Sequence, residues 1–80
     1  MRQLTFIDVG QFEWRDVSAP RLAADTDALV RPIAVARCDL DFYIANGLAH
    51  YPGPFSFGHE AVAEVVDAGP AAEVVPGQRV

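Results

Sequence analysis

Lysine is absent from the 80 residues, and the six basic side chains are all arginines, no two of them adjacent, set against eleven acids. A net charge of −5 with no basic cluster gives nothing to grip nucleic acid or an anionic membrane, so neither is expected as a partner. Long apolar runs are also missing. The longest are four residues, as at Ile33 to Ala36, which excludes a helix that spans a bilayer. Asp8 interrupts the start before any leader-like apolar stretch forms, so a cleaved signal peptide is not expected. There is one cysteine, Cys38, which has no internal disulfide partner and suits a reducing cytoplasm, the expected location. Internal repeats, low-complexity tracts and a G-x-G-x-x-G turn are all absent. What remains is 51% hydrophobic and 21% charged, the balance of a globular chain. At this length it forms at most one small domain with a modest core.

Local patterning is mostly that of short strands. Leu4 and Phe6 alternate with Gln3 and Thr5, so Arg2 to Ile7 reads as a strand. Asp8-Val9-Gly10 supplies turn chemistry, and Gln11 to Val17 alternates again, which predicts a hairpin packed by Phe6, Phe12 and Trp14. Ser18 to Asp27 is a loop whose Asp25 to Asp27 cluster is an exposed turn. Ala28 to Ala36 is expected to be a buried strand, with an edge or bulge where Pro32 removes a ladder donor. Asp39 is expected to cap a short helix from Leu40 to about Asn46, with Gly47 at its left-handed C-terminal position. Leu48 to Gly58 holds too many prolines and glycines for regular structure. His59 to Asp67 alternates as a strand, Gly69-Pro70 turns, and Glu73 to Val75 forms a short strand. Pro76-Gly77 turns again, and Gln78 to Val80 begins one more strand. The expected fold class is mainly β with one short helix: a small, partly open barrel, truncated before closure.

Few side chains could carry chemistry. Cys38 stands at a strand-to-helix junction, Asp41 lies three residues on, and His59 and Glu60 follow Cys38 by twenty-one and twenty-two residues. Thiolate and imidazole are ligands that zinc prefers, and carboxylates orient the histidine. As a bare pattern the gap is not a finger-type spacing. A buried free cysteine is usually an inert small hydrophobe, and a histidine after glycine is usually a satisfied loop residue. His50 reads as a solvated loop residue or a group at a substrate entrance, and Phe55 and Phe57 as aromatic core or a substrate wall.

The motifs in order carry a resemblance along the whole chain. Val30-Arg31-Pro32-Ile33-Ala34-Val35-Ala36-Arg37-Cys38-Asp39-Leu40-Asp41 comes first. Pro52-Gly53-Pro54-Phe55-Ser56-Phe57-Gly58-His59-Glu60-Ala61-Val62-Ala63-Glu64-Val65-Val66 follows, and Val75-Pro76-Gly77-Gln78-Arg79-Val80 closes the series. Together they resemble the N-terminal part of a zinc-dependent medium-chain alcohol dehydrogenase. The resemblance implies a GroES-like partly open barrel, with residues 1–80 an incomplete catalytic domain that lacks the dinucleotide-binding domain. It implies Cys38 and His59 as the first two ligands of a catalytic Zn2+, Glu60 as a neighbour able to approach the metal, and Asp41 as the carboxylate that holds the histidine. Gly58 would allow close backbone approach beside the metal.

The parent enzyme would be a homo-oligomer that moves hydride between a small alcohol and its aldehyde or ketone using NAD(P). In the family the third ligand, a four-cysteine zinc lobe and the Gly-rich nucleotide turn fall beyond the part resembled here, so an isolated 80-residue chain is expected to be inactive. Three positions depart from the family pattern. Leu40 and Tyr43 stand where a Ser or Thr and a histidine often relay a proton, and Asp39 stands where cofactor phosphate approaches in some members. A different proton path is therefore expected. The alternatives are a stand-alone small β-barrel that binds metal or a partner, and an inactive remnant.

Overall fold

A computed structural model describes all 80 residues. The elements run β1 (Arg2–Asp8), β2 (Gln11–Asp16), β3 (Ala28–Val35), α1 (Asp39–Ala45), β4 (Phe55–Ser56) and β5 (Ala61–Ala68). They divide into two compact units, one of Met1–Ser18 with Ala36–His59, the other of Ala19–Val35 with Glu60–Val80. The chain is mainly β with one short helix, as its patterning predicts, and its two sheets are open, in the orders β2-β1-β4 and β3-β5. No helix is long and apolar enough to cross a membrane.

In the first unit, β1 and β2 form the expected hairpin, with Leu4 opposite Trp14 and Phe6 opposite Phe12. Gly10 makes the turn at φ +70°, a conformation open to glycine. Phe6 is the centre of the core, 3% exposed. Its ring stacks on Phe55 at 4.9 Å and meets Phe12 edge-on at 5.5 Å. Trp14 does not join it. The whole of β2 is exposed, Trp14 is 61% exposed, and the Arg2 guanidinium lies 5.2 Å from its ring centre. By the register Trp14 shares the face of Phe6 but is left uncovered there, whereas Thr5, on the other face, is buried.

The segment expected to lack regular structure contains β4. Phe55 and Ser56 pair with Phe6 and Thr5, and the Phe57 N–H donates to the Leu4 carbonyl at 2.9 Å. Packing of Phe55 on Phe6 draws this backbone onto the free edge of β1, which overrides the turn propensity of Pro52, Gly53 and Pro54. Helix α1 starts one residue before the expected boundary. Cys38, extended at φ −124° and ψ 179°, occupies the cap position assigned above to Asp39. The Asp41 carboxylate reaches back to accept the Cys38 N–H at 2.9 Å, and that bond fixes the start. The helix ends at Asn46, with Gly47 left-handed at φ +76° as expected.

In the second unit, β3 and β5 are antiparallel. Pro32 pairs with Ala63 and Ala34 with Val62, so Ile33 is the extra residue of a bulge, beside the proline that has no N–H to give. The expectation that β3 is buried fails. Val30, Ile33 and Val35 are exposed, and Ala63 and Val65 of β5 are the buried pair. A two-stranded sheet has few neighbours to cover it. β5 begins at Ala61, two residues after the expected start. Glu73 and Val74 are bends and Val75 has no regular structure, so no strand forms there. Gln78 to Val80 pairs beside β5 through a bridge at Arg79 and through bonds from Ala63 N–H to Val80 and from Val65 N–H to Gln78. Asp27 accepts the N–H groups of Ala23 and Ala24, each at 2.9 Å, and these bonds hold its carboxyl below the usual carboxylate range.

Candidate metal centre

Three of the four residues singled out for chemistry meet within the first unit. The Sγ of Cys38 lies 3.2 Å from Nε2 of His59. The other ring nitrogen, Nδ1, lies 3.1 Å from Oδ1 of Asp41, whose side chain is 5% exposed. The second carboxylate oxygen of Asp41 accepts the backbone N–H of Cys38. One buried carboxylate therefore positions both groups. A carboxylate only accepts hydrogen bonds, so the imidazole proton belongs on Nδ1, which leaves the Nε2 lone pair aimed at the sulfur.

Chain geometry explains the convergence. Cys38 is extended at the helix cap, and its N–H faces back into the first turn, where Asp41 accepts it. Gly58 lies at φ +114°, a backbone state that a side chain would resist, and this turns the chain so that the next residue faces α1. Cys38 is half-buried and His59 is exposed. Glu60, also exposed, is joined to His59 by one peptide bond and opens the second unit.

The donor chemistry fits zinc. With Zn–S near 2.3 Å and Zn–N near 2.0–2.1 Å, a tetrahedral ion sets its sulfur and nitrogen ligands about 3.5 Å apart. The observed 3.2 Å is within a few tenths of that. Thiol, imidazole and carboxylate in this order also describe a nucleophile with its base and orienting acid. The family of the chain bears on that choice.

Residues 24–80 match the alcohol dehydrogenase GroES-like domain. The chain belongs to this family. Over 82 aligned residues it is 34% identical to the NADP-dependent isopropanol dehydrogenase of Thermoanaerobacter brockii, covering all of this chain and 23% of that protein. The protein of the same description from Clostridium beijerinckii is 33% identical over the same extent. Among solved structures, alcohol dehydrogenase TADH from Thermus sp. ATN1 matches with a TM-score of 0.85 at 31% identity, over 99% of this chain and 23% of that one. The GroES-like fold expected from the motifs is thus the fold present. The chain spans under a quarter of the length of these relatives.

Other expected residues of this GroES-like chain fall around the centre. Leu40 lines a cavity of about 250 Å³ beside His59, together with Ile44, Tyr51, Phe55 and Phe57. Phe55 and Phe57 are half-buried against Phe6 and also line this cavity. Tyr43 and Asp39 are exposed on α1. His50 is exposed in its loop and edges a second cavity of about 260 Å³ near Asp8. Ile44 and Tyr51 are cavity residues that sequence reasoning missed. The spacing of Ile44 three residues after Asp41 on one helix face was the available signal for the first. Nothing local marked Tyr51.

Proposed function

We propose that this chain is the N-terminal part of the catalytic domain of an alcohol dehydrogenase-like oxidoreductase, in which Cys38 and His59 hold a catalytic zinc. The observation that carries this is the 3.2 Å approach of Sγ to Nε2, with the ring locked from behind by Asp41. When bound, the zinc would act as a Lewis acid on the C–O group of an alcohol or carbonyl substrate. Cys38 contributes a soft anionic donor. His59 contributes a neutral one, and Asp41 keeps its proton on Nδ1 and its plane fixed. Glu60, next to His59 in the chain, is the carboxylate available to approach the metal.

A catalytic zinc has three protein ligands and an open position. Cys38 and His59 supply two, so the third comes from the remainder of the whole protein. The 80 residues hold no G-x-G-x-x-G turn, so the nicotinamide nucleotide is also held elsewhere, and the names of the relatives favour NADP. Leu40 has no proton to give, so proton transfer from the substrate takes a route that does not pass through that position. The reading extends to a cytoplasmic, homo-oligomeric whole protein acting on a small alcohol and its aldehyde or ketone. The lone cysteine supports the compartment.

Cobalt substitution tests the metal centre. Co2+ added to the protein is expected to give a near-ultraviolet sulfur-to-metal charge-transfer band. The band should be lost in Cys38→Ser and weakened in His59→Gln. No band, or one unchanged in Cys38→Ser, overturns the zinc assignment. In the whole protein, Cys38→Ser is expected to abolish NADP reduction by 2-propanol.

A further inference from the structure

An open sheet edge invites a further strand, and most edges of this chain are blunted. β4 is two residues long. β3 carries Pro32 and the bulge at Ile33. The outer side of β5 is taken up by Gln78 and Val80. β2 is different. Its six residues, Gln11 to Asp16, include no proline, and every one of them is exposed. The ladder to β1 fixes which of its backbone groups are free. Met1 and Val17 bond to each other in both directions, at 3.0 and 2.8 Å. In an antiparallel pair such exchanges alternate, so Arg15 and Glu13 also bond to β1, through Gln3 and Thr5. Phe12, Trp14 and Asp16 therefore turn their N–H and C=O groups to the open edge.

A second copy of the same strand can pair here antiparallel about a two-fold axis, and regular bonding then needs outward-facing residues opposite one another. Centring the pair on Glu13 or Arg15 sets like charges face to face, which is unfavourable. Centring it on Phe12 or Asp16 uses only one end of the strand. Centring it on Trp14 sets Trp14 against the partner's Trp14 and Phe12 against the partner's Asp16. Glu13 then faces the partner's Arg15, and by symmetry Arg15 faces the partner's Glu13. Within one copy Glu13 and Arg15 already form an ion pair, so pairing exchanges one opposite charge for another. Trp14, left uncovered in its own hairpin, gains an aromatic neighbour. We infer that β2 is a self-complementary edge through which two copies of this chain join by strand addition, with Trp14 on the two-fold axis.

The surface covered is small, so the pair is a transient one. Sedimentation velocity of the full chain from about 10 μM to about 1 mM is expected to show a monomer–dimer equilibrium. Emission of Trp14, the only tryptophan, should change along the same curve. Amide hydrogen exchange reads the ladder. Phe12, Trp14 and Asp16 should slow as concentration rises, whereas Glu13 and Arg15, bonded to β1 throughout, should not. Glu13→Arg alone and Arg15→Glu alone each set like charges opposite one another and should weaken the dimer by at least about tenfold. Both side chains are exposed, so neither change touches the core. An equimolar mixture of the two variants puts opposite charges back at both places and should recover the wild-type affinity within about threefold. A monomer at every concentration, a dimer that neither variant weakens, protection without the alternation, or a mixture no tighter than either variant by itself each overturns the inference. Where a variant does not fold, the exchange pattern of the wild-type chain decides. The edge includes none of Cys38, Asp41 and His59, so these results and the cobalt band are independent of each other.

Discussion

Asp41→Asn is the most informative single change in this chain. The wild-type carboxylate accepts two bonds, one from His59 Nδ1 and one from the Cys38 N–H. Asparagine keeps the size but offers only one accepting oxygen, and its NH2 group must face one of the two former donors. If the oxygen stays with the Cys38 N–H, the amide donates to Nδ1. The imidazole proton then moves to Nε2 and points at the sulfur, which removes the lone pair a metal would use. If the oxygen stays with His59, a buried N–H at the helix start is left facing another donor. Hydrogen bonds to a charged group contribute about 1.5–3 kcal/mol each. Loss of a ligand-orienting carboxylate typically weakens metal binding about 10- to 100-fold. That range corresponds to about 1.4–2.8 kcal/mol. Competition for zinc against a chromophoric chelator measures it, at a denaturant-free condition where both proteins are shown to be folded. Long-range proton–nitrogen NMR of the His59 ring reads the tautomer without metal. Zinc affinity unchanged within about threefold, together with a proton still on Nδ1, would refute the role assigned to Asp41.

Gly58→Ala is expected to cost about 1–3 kcal/mol in a urea titration, because φ +114° is strained for alanine, while no atom crowds the added methyl. The same variant should bind zinc more weakly, since His59 is the next residue. A stability loss with unchanged affinity would show that the turn does not aim the ring. Phe6→Ala should cost about 3–5 kcal/mol, as expected for a ring buried to 3% exposure. Trp14→Ala should cost no more than about 1 kcal/mol, the scale of its exposed contact with Arg2. Equal costs would contradict the uneven covering of the hairpin. Asp27 has a folded pKa lowered by the Ala23 and Ala24 amides. Its contribution is therefore complete above the ordinary aspartate value, about 3.9, and is lost as pH falls through the lower folded value. The Ala23 and Ala24 amide shifts should titrate in that acid window, and Asp27→Asn should abolish the change.

How much could be read in advance differed by the kind of interaction. The β1–β2 hairpin is local, fixed by alternation and by Gly10, and the sequence is sufficient for it. The bulge at Ile33 is equally local, because Pro32 lacks a donor whatever surrounds it. Strand β4 is non-local. Its residues pair with β1 fifty positions earlier because Phe55 stacks on Phe6, and no window of sequence around Pro52 to Pro54 contains that information. The burial of β3 was misread for a related reason. Apolar composition marks what could be covered, and coverage depends on neighbours that a two-stranded sheet does not have. At the centre, Cys38, Asp41 and His59 were recognisable from motif order, whereas the double use of Asp41 was not. The helix was expected to begin with Asp39 as its cap. Moving the start to Cys38 is what makes Asp41 the third helical residue, able to reach back to the cap N–H.

That shift ties helix formation to ligand geometry. The bond between Asp41 and the Cys38 N–H closes the first turn of α1, and the same carboxylate fixes the ring of His59. Any fraying of the first turn frees Asp41, and with it the imidazole. A metal held by Cys38 and His59 would bind only the intact arrangement, so it stabilises the closed turn by mass action. Zinc should therefore slow amide hydrogen exchange at Asp41, Phe42 and Tyr43 more than at Leu4 or Trp14 in the hairpin, which shares no bond with the centre. At a free zinc concentration about 100 times the dissociation constant, the expected extra protection of the helix start is about 2.7 kcal/mol. Uniform protection across α1 and the hairpin would mean that zinc acts on global stability alone. No protection at the first turn would mean that the carboxylate's two bonds are independent, and the coupling would fall.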